Sequence, residues 1–389
     1  AVHNPRFESV VADMTAALTW LRPRSARIPM ISTVDARAIA GPECRGEYWA
    51  RNLRQPVLFW PVIRELLATG HRAFVEVSPH GILTHALEQA LEHEGVAGLC
   101  VPTLRRGDDE RASMLDTLGA LYVEGGTVDG AAVDGGEDSE VAHVLPLSAR
   151  SATALEDLAR EFVRRLEAPG EGTARDICHT AARRRSHHEH RVAVVGRTRA
   201  ELASQLEAFL NGEQSPAMAA GRVSPRGRPK VAFLFSGQGS CWWGMARDLL
   251  ETEPVFRGML TRCADLFARH LDWDLVAELN APESESRLDR TEVAQPVLFA
   301  TQVALTALWR SWGVEPDAVI GHSVGEVAAA HVAGALTLED AVRIVAERAR
   351  VTQRVPRDGR MLAVELPRSE AERLLAAFDG RLWVAAVNS

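Results

Sequence analysis

The sequence predicts an α/β protein that contains more than one compact unit. Short apolar runs alternate with amphipathic helical stretches along most of the chain, which is the pattern of strands that alternate with helices. Two of these runs lead directly into glycine-rich turns, at residues 237–239 and 321–325. The length of 389 residues exceeds one average domain, so we expect two or three units that each bury a core.

The first unit is predicted over residues 1–105. Its apolar runs, at residues 28–32 and 73–77, predict strands, and amphipathic stretches at residues 56–67 and 82–92 predict helices. A tail over residues 106–140 follows.

This tail contains one predicted helix, at residues 112–122. Residues 125–140 are mostly Gly, Ala, Val, Asp and Glu without a period, which predicts a flexible acidic connector.

A second, smaller α/β unit is predicted over residues 141–215. Strands are expected at residues 144–147 and 191–195, and a helix at residues 199–210. Another helix is capped at Ser151 and carries one apolar face, formed by Leu155, Leu158, Phe162 and Leu166. Residues 216–229, rich in Gly, Pro and Arg, are predicted to be a linker.

The third unit, over residues 230–389, begins with a buried strand at residues 230–235 that enters the first glycine-rich turn. A second strand at residues 318–320 enters the other turn. A later helix is capped by Thr337 with Asp340. Near the end, residues 361–365 and 382–387 are predicted strands that flank a helix at residues 369–377.

Composition excludes several functional classes. The net charge of -8 leaves no excess of basic residues to neutralise nucleic-acid phosphates. No apolar run reaches the roughly 20 residues that span a bilayer, and the N-terminus resembles no signal peptide. The five cysteines are an odd number without a CxxC pair, which indicates free thiols and no metal site. We therefore expect a cytoplasmic protein that binds neither nucleic acid nor membrane nor metal.

The turn at residues 321–325 reads Gly-His-Ser-Val-Gly and lies between a predicted strand and a predicted helix. Small residues there allow a sharp turn that exposes the Ser323 hydroxyl and directs the following backbone N–H groups towards an oxyanion. Ser323 is therefore the candidate nucleophile. The other turn, Gly237-Gln238-Gly239, lacks the Lys-Ser or Lys-Thr pair of a nucleotide-binding loop, so it is either a tight connection or a second oxyanion donor.

Five segments together resemble the signatures of type I polyketide-synthase acyltransferases. They are FSGQGSCWWGM (residues 235–245), TEVAQPVLFATQVAL (residues 291–305), GHSVGE (residues 321–326), YWARNLRQPVLF (residues 48–59) and FVEVSPHGILT (residues 74–84). The second unit resembles the linker domain that joins a ketosynthase to such an acyltransferase. The resemblance implies an α/β-hydrolase-like core with a parallel sheet, part of a ferredoxin-like subdomain and a small α/β linker domain.

The resemblance also implies roles for residues of both halves. It makes Ser323 the nucleophile, His3 its general base and Asn52 the residue whose backbone carbonyl orients the imidazole. The N–H groups of Gln238 and Val324 would form the oxyanion hole. Arg348 would pair with the free carboxylate of a malonyl-type substrate, and the remaining substrate-binding positions are His322, Val2 and Gln295.

The extender unit is less sharply indicated. Val324 resembles malonyl-selecting members of the family more than methylmalonyl-selecting ones, in which glutamine is usual at this position. Val2 is intermediate in size between the residues of malonyl and methylmalonyl types, so a pocket for a somewhat larger extender is the alternative. Cys241 replaces the family's usual glutamine, which removes one polar contact near the pocket mouth.

The order of the segments departs from that of the family, in which the serine-bearing half precedes the histidine-bearing half. Here residues 1–105 resemble the histidine-bearing half and residues 230–389 the serine-bearing half. A circular permutation, two segments of one domain out of their native order, or a junction of two tandem acyltransferases would each give this arrangement. The first two require His3 to lie near Ser323.

The resemblance implies transfer of an acyl group from CoA, through Ser323, to the phosphopantetheine thiol of an acyl carrier protein. Acyl-CoA would be the substrate, no cofactor would be bound, and a ketosynthase domain would be a neighbour. The alternatives are a serine hydrolase or thioesterase, and a docking fragment of a megasynthase in which the basic residues 183–185 contact the carrier protein.

Overall fold

The computed structural model describes residues 3–128, 141–170, 172–225, 227–355, 361–364, 366–378 and 381–388. In these ranges the strands are β1 (Met30–Ser32), β2 (Arg37–Ile39), β3 (Val57–Leu58), β4 (His71–Glu76), β5 (Leu99–Pro102), β6 (His143–Ala149), β7 (His190–Gly196), β8 (Met218–Arg222), β9 (Lys230–Phe235), β10 (Ala318–Gly321) and β11 (Ala386–Val387).

The helices of the first 210 residues are α1 (Glu8–Ala17), α2 (Gly46–Arg54), α3 (Phe59–Ala68), α4 (Thr84–His93), α5 (Glu110–Val123), α6 (Ala152–Glu167), α7 (Ala174–Arg183) and α8 (Arg199–Leu210). Those that follow are α9 (Arg247–Thr252), α10 (Pro254–Phe267), α11 (Leu275–Asn280), α12 (Thr291–Ser311), α13 (Gly325–Ala333), α14 (Leu338–Gln353) and α15 (Arg368–Leu375).

The core is a six-stranded sheet in the order β2-β1-β10-β9-β4-β5. Every neighbouring pair is parallel except β2 with β1, which is antiparallel at one edge. Strands β1, β4 and β5 come from the first unit, whereas β9 and β10 come from the third. The two halves of the chain therefore interleave in a single sheet.

Both faces of this sheet are buried, as expected for parallel strands with helices on each side. Alternate residues of one strand face opposite cores. In β9, Phe233 packs in the larger core beneath α12 to α14, whereas Ala232 and Leu234 pack in a smaller core with residues of α3 and α4. This alternation explains why the strands read as uninterrupted apolar runs in the sequence.

The second unit is a three-stranded antiparallel sheet, β6-β7-β8, with α6, α7 and α8. The Ser151 side chain accepts a hydrogen bond from the backbone N–H of Ala154, which confirms the predicted cap of α6. The predicted linker over residues 216–229 is wrong in part, because β8 lies within it and pairs with β7. Pairing with an existing strand outweighs the weak strand propensity of Met-Ala-Ala-Gly-Arg.

The C-terminal region contains less strand than predicted. Residues 361–364 form no strand, and Met361 and Leu362 are 66% and 86% exposed, so little packing within the described ranges supports one; residue 365 lies outside those ranges. The strand predicted at residues 382–387 is reduced to β11, which pairs in parallel with β3. The predicted acidic connector lies largely outside the described residues.

Within the described ranges no helix is long and apolar enough to cross a membrane. All five cysteines are free, as the sequence predicted.

Candidate active site

The Ser323 turn joins β10 to α13 at the carboxyl edge of the central sheet. Ser323 has a φ angle of 58°, a left-handed conformation that costs energy for a residue other than glycine. The glycines two residues before and two residues after it, Gly321 and Gly325, make the turn possible because they carry no side chain. A Cβ on Gly325 would lie 2.7 Å from the carbonyl oxygen of Ser236, and one on Gly321 would lie 2.5 Å from the carbonyl carbon of Gly325. The predicted strand-turn-helix context of the serine is therefore present.

The imidazole of His3 meets the Ser323 hydroxyl although 320 residues separate them. Its Nε2 lies 2.7 Å from Ser323 Oγ, and its Nδ1 lies 2.9 Å from the carbonyl oxygen of Gln55. A carbonyl oxygen only accepts, so Nδ1 carries the proton and Nε2 is left to accept the serine hydrogen. The pair thus has the geometry of a nucleophile and a general base.

The carbonyl that lies 2.9 Å from His3 Nδ1 belongs to Gln55, whereas the resemblance implied the carbonyl of Asn52. The Asn52 carbonyl also raises the pKa of His3, but less than that of Gln55 does. Gln55 follows the end of α2 in an extended conformation, with ψ at 156°, which turns its carbonyl away from the helix axis. The Asn52 side chain has a different contact, since its Nδ2 donates to the backbone oxygen of Ser323 at 3.1 Å.

Burial keeps His3 neutral. Burial, together with the smaller effect of the positive charge of Arg348, lowers the pKa of His3 to about 3. Only 4% of His3 is exposed. A neutral imidazole is the form that can accept the serine proton, so the base is in the required state over the whole neutral range.

Arg348 lies on α14 with its side chain at the nucleophile. Its Nη2 donates to Ser323 Oγ at 3.0 Å, and only 1% of the residue is exposed. Burial lowers the pKa of Arg348 to about 9, and no carboxylate among the described residues offsets this effect. Its Nε has no hydrogen-bond partner there. A buried guanidinium with an unused donor is suited to a carboxylate that arrives with a ligand.

His322, the residue before the nucleophile, packs edge-on against Phe59, with ring centroids 6.0 Å apart. Its Nε2 lies 3.2 Å from the side-chain oxygen of Asn388, and burial lowers the pKa of His322 to about 4. His322 is therefore a neutral, polar group beside Ser323. Val2, another predicted pocket residue, lies outside the described residues.

The glycine-rich turn after β9 packs directly against the Ser323 turn. A Cβ on Gly237 would lie 3.0 Å from the carbonyl oxygen of His322 and 3.3 Å from Ser323 Cβ. The next residue, Gln238, is exposed and its amide donates to Thr291 at 3.2 Å. Val324 is buried and immediately precedes α13. The backbone of the two turns therefore converges at the serine, where an oxyanion hole requires its donors.

Gln295 is buried in the second turn of α12, the helix whose Thr291 contacts Gln238. Its side-chain oxygen has no hydrogen-bond partner in the described part of the chain. Unpaired buried acceptors are rare, and this one lies about one helical turn after Thr291, the residue that contacts Gln238.

Two contributors were missed in the sequence. Gln55 precedes Pro56, and a residue before proline favours an extended backbone, so its outward carbonyl was a detectable signal. Asn388 reaches His322 only because β11 pairs with β3, and no local pattern indicates that contact.

Taken together, the side chains can perform nucleophilic acyl transfer. A hydroxyl, a neutral base and a buried cation meet at one atom, Ser323 Oγ. In the ranges that the structure describes, no cluster of three or more His, Cys, Asp or Glu side chains could hold a metal ion.

Comparison with known proteins points to one family. The model of the acyl transferase domain matches residues 1–127 and 232–389, and the model of the CurL-like C-terminal region of polyketide synthases matches residues 143–206. The chain is 44% identical over 248 residues to polyketide synthase GfsB of Streptomyces halstedii, and 44% identical over 245 residues to erythronolide synthase EryA2 of Saccharopolyspora erythraea. These matches cover 62% and 63% of this chain but only 4% and 7% of the relatives, so the chain spans a small fraction of their length.

Solved structures of acyltransferase domains are also similar to this chain. The acyltransferase domain from module 8 of the salinomycin polyketide synthase is similar with a TM-score of 0.55 and 34% identity, over 61% of this chain and 56% of that one. The acyl transferase domain of ZmaA is similar with a TM-score of 0.56 and 32% identity, over 62% and 55% of the two chains.

Proposed function

This chain belongs to the acyl transferase domain family, and we propose that it moves a malonyl-type acyl group from CoA to the phosphopantetheine thiol of an acyl carrier protein, through an ester on Ser323. The observation that carries the proposal is the meeting of the His3 imidazole and the Arg348 guanidinium at Ser323 Oγ, at 2.7 and 3.0 Å.

In the first half-reaction His3 Nε2 accepts the Ser323 proton as Oγ attacks the thioester carbonyl carbon. The backbone N–H groups of Gln238 and Val324 would stabilise the negative oxygen of the tetrahedral intermediate. The carbon–sulfur bond then breaks, and the CoA sulfur leaves with the proton from His3. The acyl group remains on Ser323 as an ester.

The second half-reaction reverses these steps with a new thiol. The phosphopantetheine thiol gives its proton to His3 and attacks the ester carbon. Ser323 leaves and recovers its proton from His3. The base is neutral at the start of each half-reaction, which its lowered pKa supports.

Arg348 supports a dicarboxylic substrate. Its guanidinium is buried, has an unused Nε donor and has no acidic partner among the described residues. The free carboxylate of a malonyl group would supply the missing anion and form a charge-assisted pair. Such a pair also fixes the distance between the carboxylate and the thioester, which orients the reacting carbon at Ser323.

The contact of His3 with a backbone carbonyl distinguishes this proposal from a hydrolase. Serine hydrolases usually orient the imidazole with a carboxylate, whereas Gln55 offers a neutral carbonyl at 2.9 Å.

Mass spectrometry of the intact protein after incubation with malonyl-CoA tests the proposal. The wild-type protein should gain one malonyl group, and the Ser323→Ala variant should gain none. CoA release is then measured with and without carrier protein. Release that needs the carrier supports transfer; equal release in its absence supports a hydrolase, and malonylation of the alanine variant contradicts the proposal.

A further inference from the structure

A buried acid that the proposed reaction does not use lies directly behind the nucleophile. Glu326 is the second residue of α13 and is fully buried. Its carboxyl group contacts residues of the other half of the chain. Oε2 lies 2.5 Å from Thr33 Oγ1, while Oε1 accepts from the backbone N–H of Thr33 at 3.2 Å and from the Tyr48 hydroxyl.

The same threonine hydroxyl also holds the serine turn. Thr33 Oγ1 lies 2.7 Å from the carbonyl oxygen of Gly321, two residues before Ser323. Thr33 follows β1, which is parallel to β10, so the hydroxyl bridges the ends of two neighbouring strands. The backbone that presents Ser323 is therefore tied to Glu326 through one side chain.

The number of hydroxyl hydrogens around Glu326 indicates whether its carboxyl group is protonated. The Ser32 hydroxyl oxygen accepts two backbone N–H groups, at 3.1 and 3.0 Å, so its own hydrogen is free to go to Tyr48, 2.8 Å away. Tyr48 then donates to Oε1 of Glu326. Thr33 has one hydrogen but two oxygen neighbours, Gly321 O and Glu326 Oε2. Both contacts are hydrogen bonds only if Oε2 carries a proton and donates it to Thr33.

If the acid is ionised, this arrangement fails. The single hydroxyl hydrogen of Thr33 can then go either to the carboxylate or to the Gly321 carbonyl. A charged acceptor attracts it more strongly than a neutral one. The Gly321 carbonyl would lose its partner inside the core.

The surroundings favour the neutral form. Burial raises the pKa of Glu326 by more than the hydrogen bonds of Thr33, Tyr48 and Ser32 lower it. The resulting pKa is about 7. Among the described residues, no cation contributes to this balance. A carboxylic acid in such a site keeps its proton to higher pH than an exposed one.

Few groups near Glu326 titrate in the same pH range as its carboxyl group. Tyr48 and Cys44 face the acid from α2 and from the segment before it, and burial raises the pKa of both far above neutrality. Asp35 acts on Cys44 from the β1–β2 loop and is paired with Arg51. Glu43 also acts on Cys44. On the catalytic side, burial keeps His3 and His322 neutral.

We propose that Glu326 is a positioning residue that holds the Ser323 turn as a neutral carboxylic acid, donating to Thr33 so that Thr33 holds the carbonyl of Gly321, and that its ionisation slows acylation of Ser323. The inference rests on the proposed function only in naming Ser323 as the nucleophile.

The test measures the rate at which phenylmethylsulfonyl fluoride modifies Ser323, by intact mass, between pH 6 and pH 8. This probe needs no CoA substrate, so the result separates the inference from the transferase proposal. The wild-type rate, corrected for hydrolysis of the probe, should fall about tenfold, in line with the neutral fraction of an acid whose pKa is about 7.

The Glu326→Gln variant keeps a donor and an acceptor but cannot ionise. It should react at pH 6 within about twofold of the wild type and show no fall at pH 8. Glu110→Gln is the matched control, because burial also raises the pKa of Glu110 to about 7, while its carboxylate accepts from Ala246 and Leu249, away from Ser323. The modification rate of the Glu110→Gln variant should fall between pH 6 and pH 8 as that of the wild type does.

A pair at Thr33 covers the case in which the glutamine variant does not fold. Thr33→Val should react slowly at both pH values, whereas Thr33→Ser should restore the rate and its pH dependence. A wild-type rate that is constant between pH 6 and pH 8, a glutamine variant that shows the same fall, or a flat profile in Glu110→Gln would each overturn the inference.

Discussion

Replacement of Arg348 by alanine should change which substrate the protein accepts. In the proposed complex the guanidinium pairs with the free carboxylate of malonyl-CoA in a site where only 1% of the arginine is exposed. Loss of one partner of a buried, hydrogen-bonded charge pair costs about 2–5 kcal/mol. We therefore expect kcat/KM for malonyl-CoA to fall by about 30-fold to several thousand-fold.

Acetyl-CoA is the control substrate because it has no free carboxylate. The variant still loses the 3.0 Å hydrogen bond from Arg348 to Ser323 Oγ, so some loss is expected for every substrate. A hydrogen bond from a charged donor contributes about 1.5–3 kcal/mol, and this loss is common to both substrates. It cancels in the comparison, so the preference for malonyl over acetyl should fall by the ~2–5 kcal/mol of the charge pair. The Arg348→Lys variant keeps the charge without the planar fork of the guanidinium. Its preference for malonyl-CoA should lie between those of the wild type and the alanine variant.

The assay is the rate of acyl-enzyme formation with each CoA ester. An equal loss for malonyl-CoA and acetyl-CoA would refute the pairing, because the guanidinium would then serve only Ser323.

Two further predictions follow from the site. Because burial lowers the pKa of His3 to about 3, the rate of Ser323 acylation should stay constant from about pH 6 down to about pH 4.5, and a fall centred near pH 6.5 in stopped-flow measurements would show that the base is not buried. Gly325→Ala should lower the free energy of unfolding by about 3 kcal/mol or more, because its Cβ would lie 2.6 Å from the carbonyl carbon of Phe235. Gly258→Ala, in an exposed helix position with nothing within 4 Å, should raise it by up to about 1 kcal/mol, and equal denaturation midpoints for the two variants would contradict the steric argument.

Local patterns predicted the parts of the fold that local physics determines. The strand that became β9 reads as an apolar run because both of its faces are buried. The Thr337 side chain accepts from the backbone N–H of Asp340, as its spacing indicated. The Ser323 turn was predictable because its glycines are required by close backbone approach.

Features that depend on distant partners were not predictable in the same way. The strand β8 forms because β7 offers it an edge, and the segment at residues 361–364 remains irregular because it packs against little. The approach of His3 to Ser323 was expected only from resemblance, since a histidine near a chain end has no local signature. Strand pairing between the two halves of the chain creates that approach.

The reversed order of the two halves is compatible with this arrangement. The permutation and reordering hypotheses required His3 to lie near Ser323, and the two atoms are 2.7 Å apart. Ala1 and Ser389, whose separation also bears on these hypotheses, lie outside the described residues.

The acid behind the nucleophile illustrates the same limit. Glu326 is visible in the GHSVGE segment, but its partners Thr33 and Tyr48 are almost 300 residues away in the sequence. A glutamate at the start of a helix ordinarily indicates a favourable charge at the helix N-terminus. Only the folded arrangement reveals that it is enclosed by hydroxyl groups.

A chase experiment tests the central claim most directly. Protein acylated with labelled malonyl-CoA is freed of CoA and mixed with a carrier protein that has its phosphopantetheine arm, or with the same carrier lacking it. Our account predicts that the label leaves Ser323 and appears on the carrier only when the arm is present. Loss of the label to water at the same rate in both mixtures would contradict it.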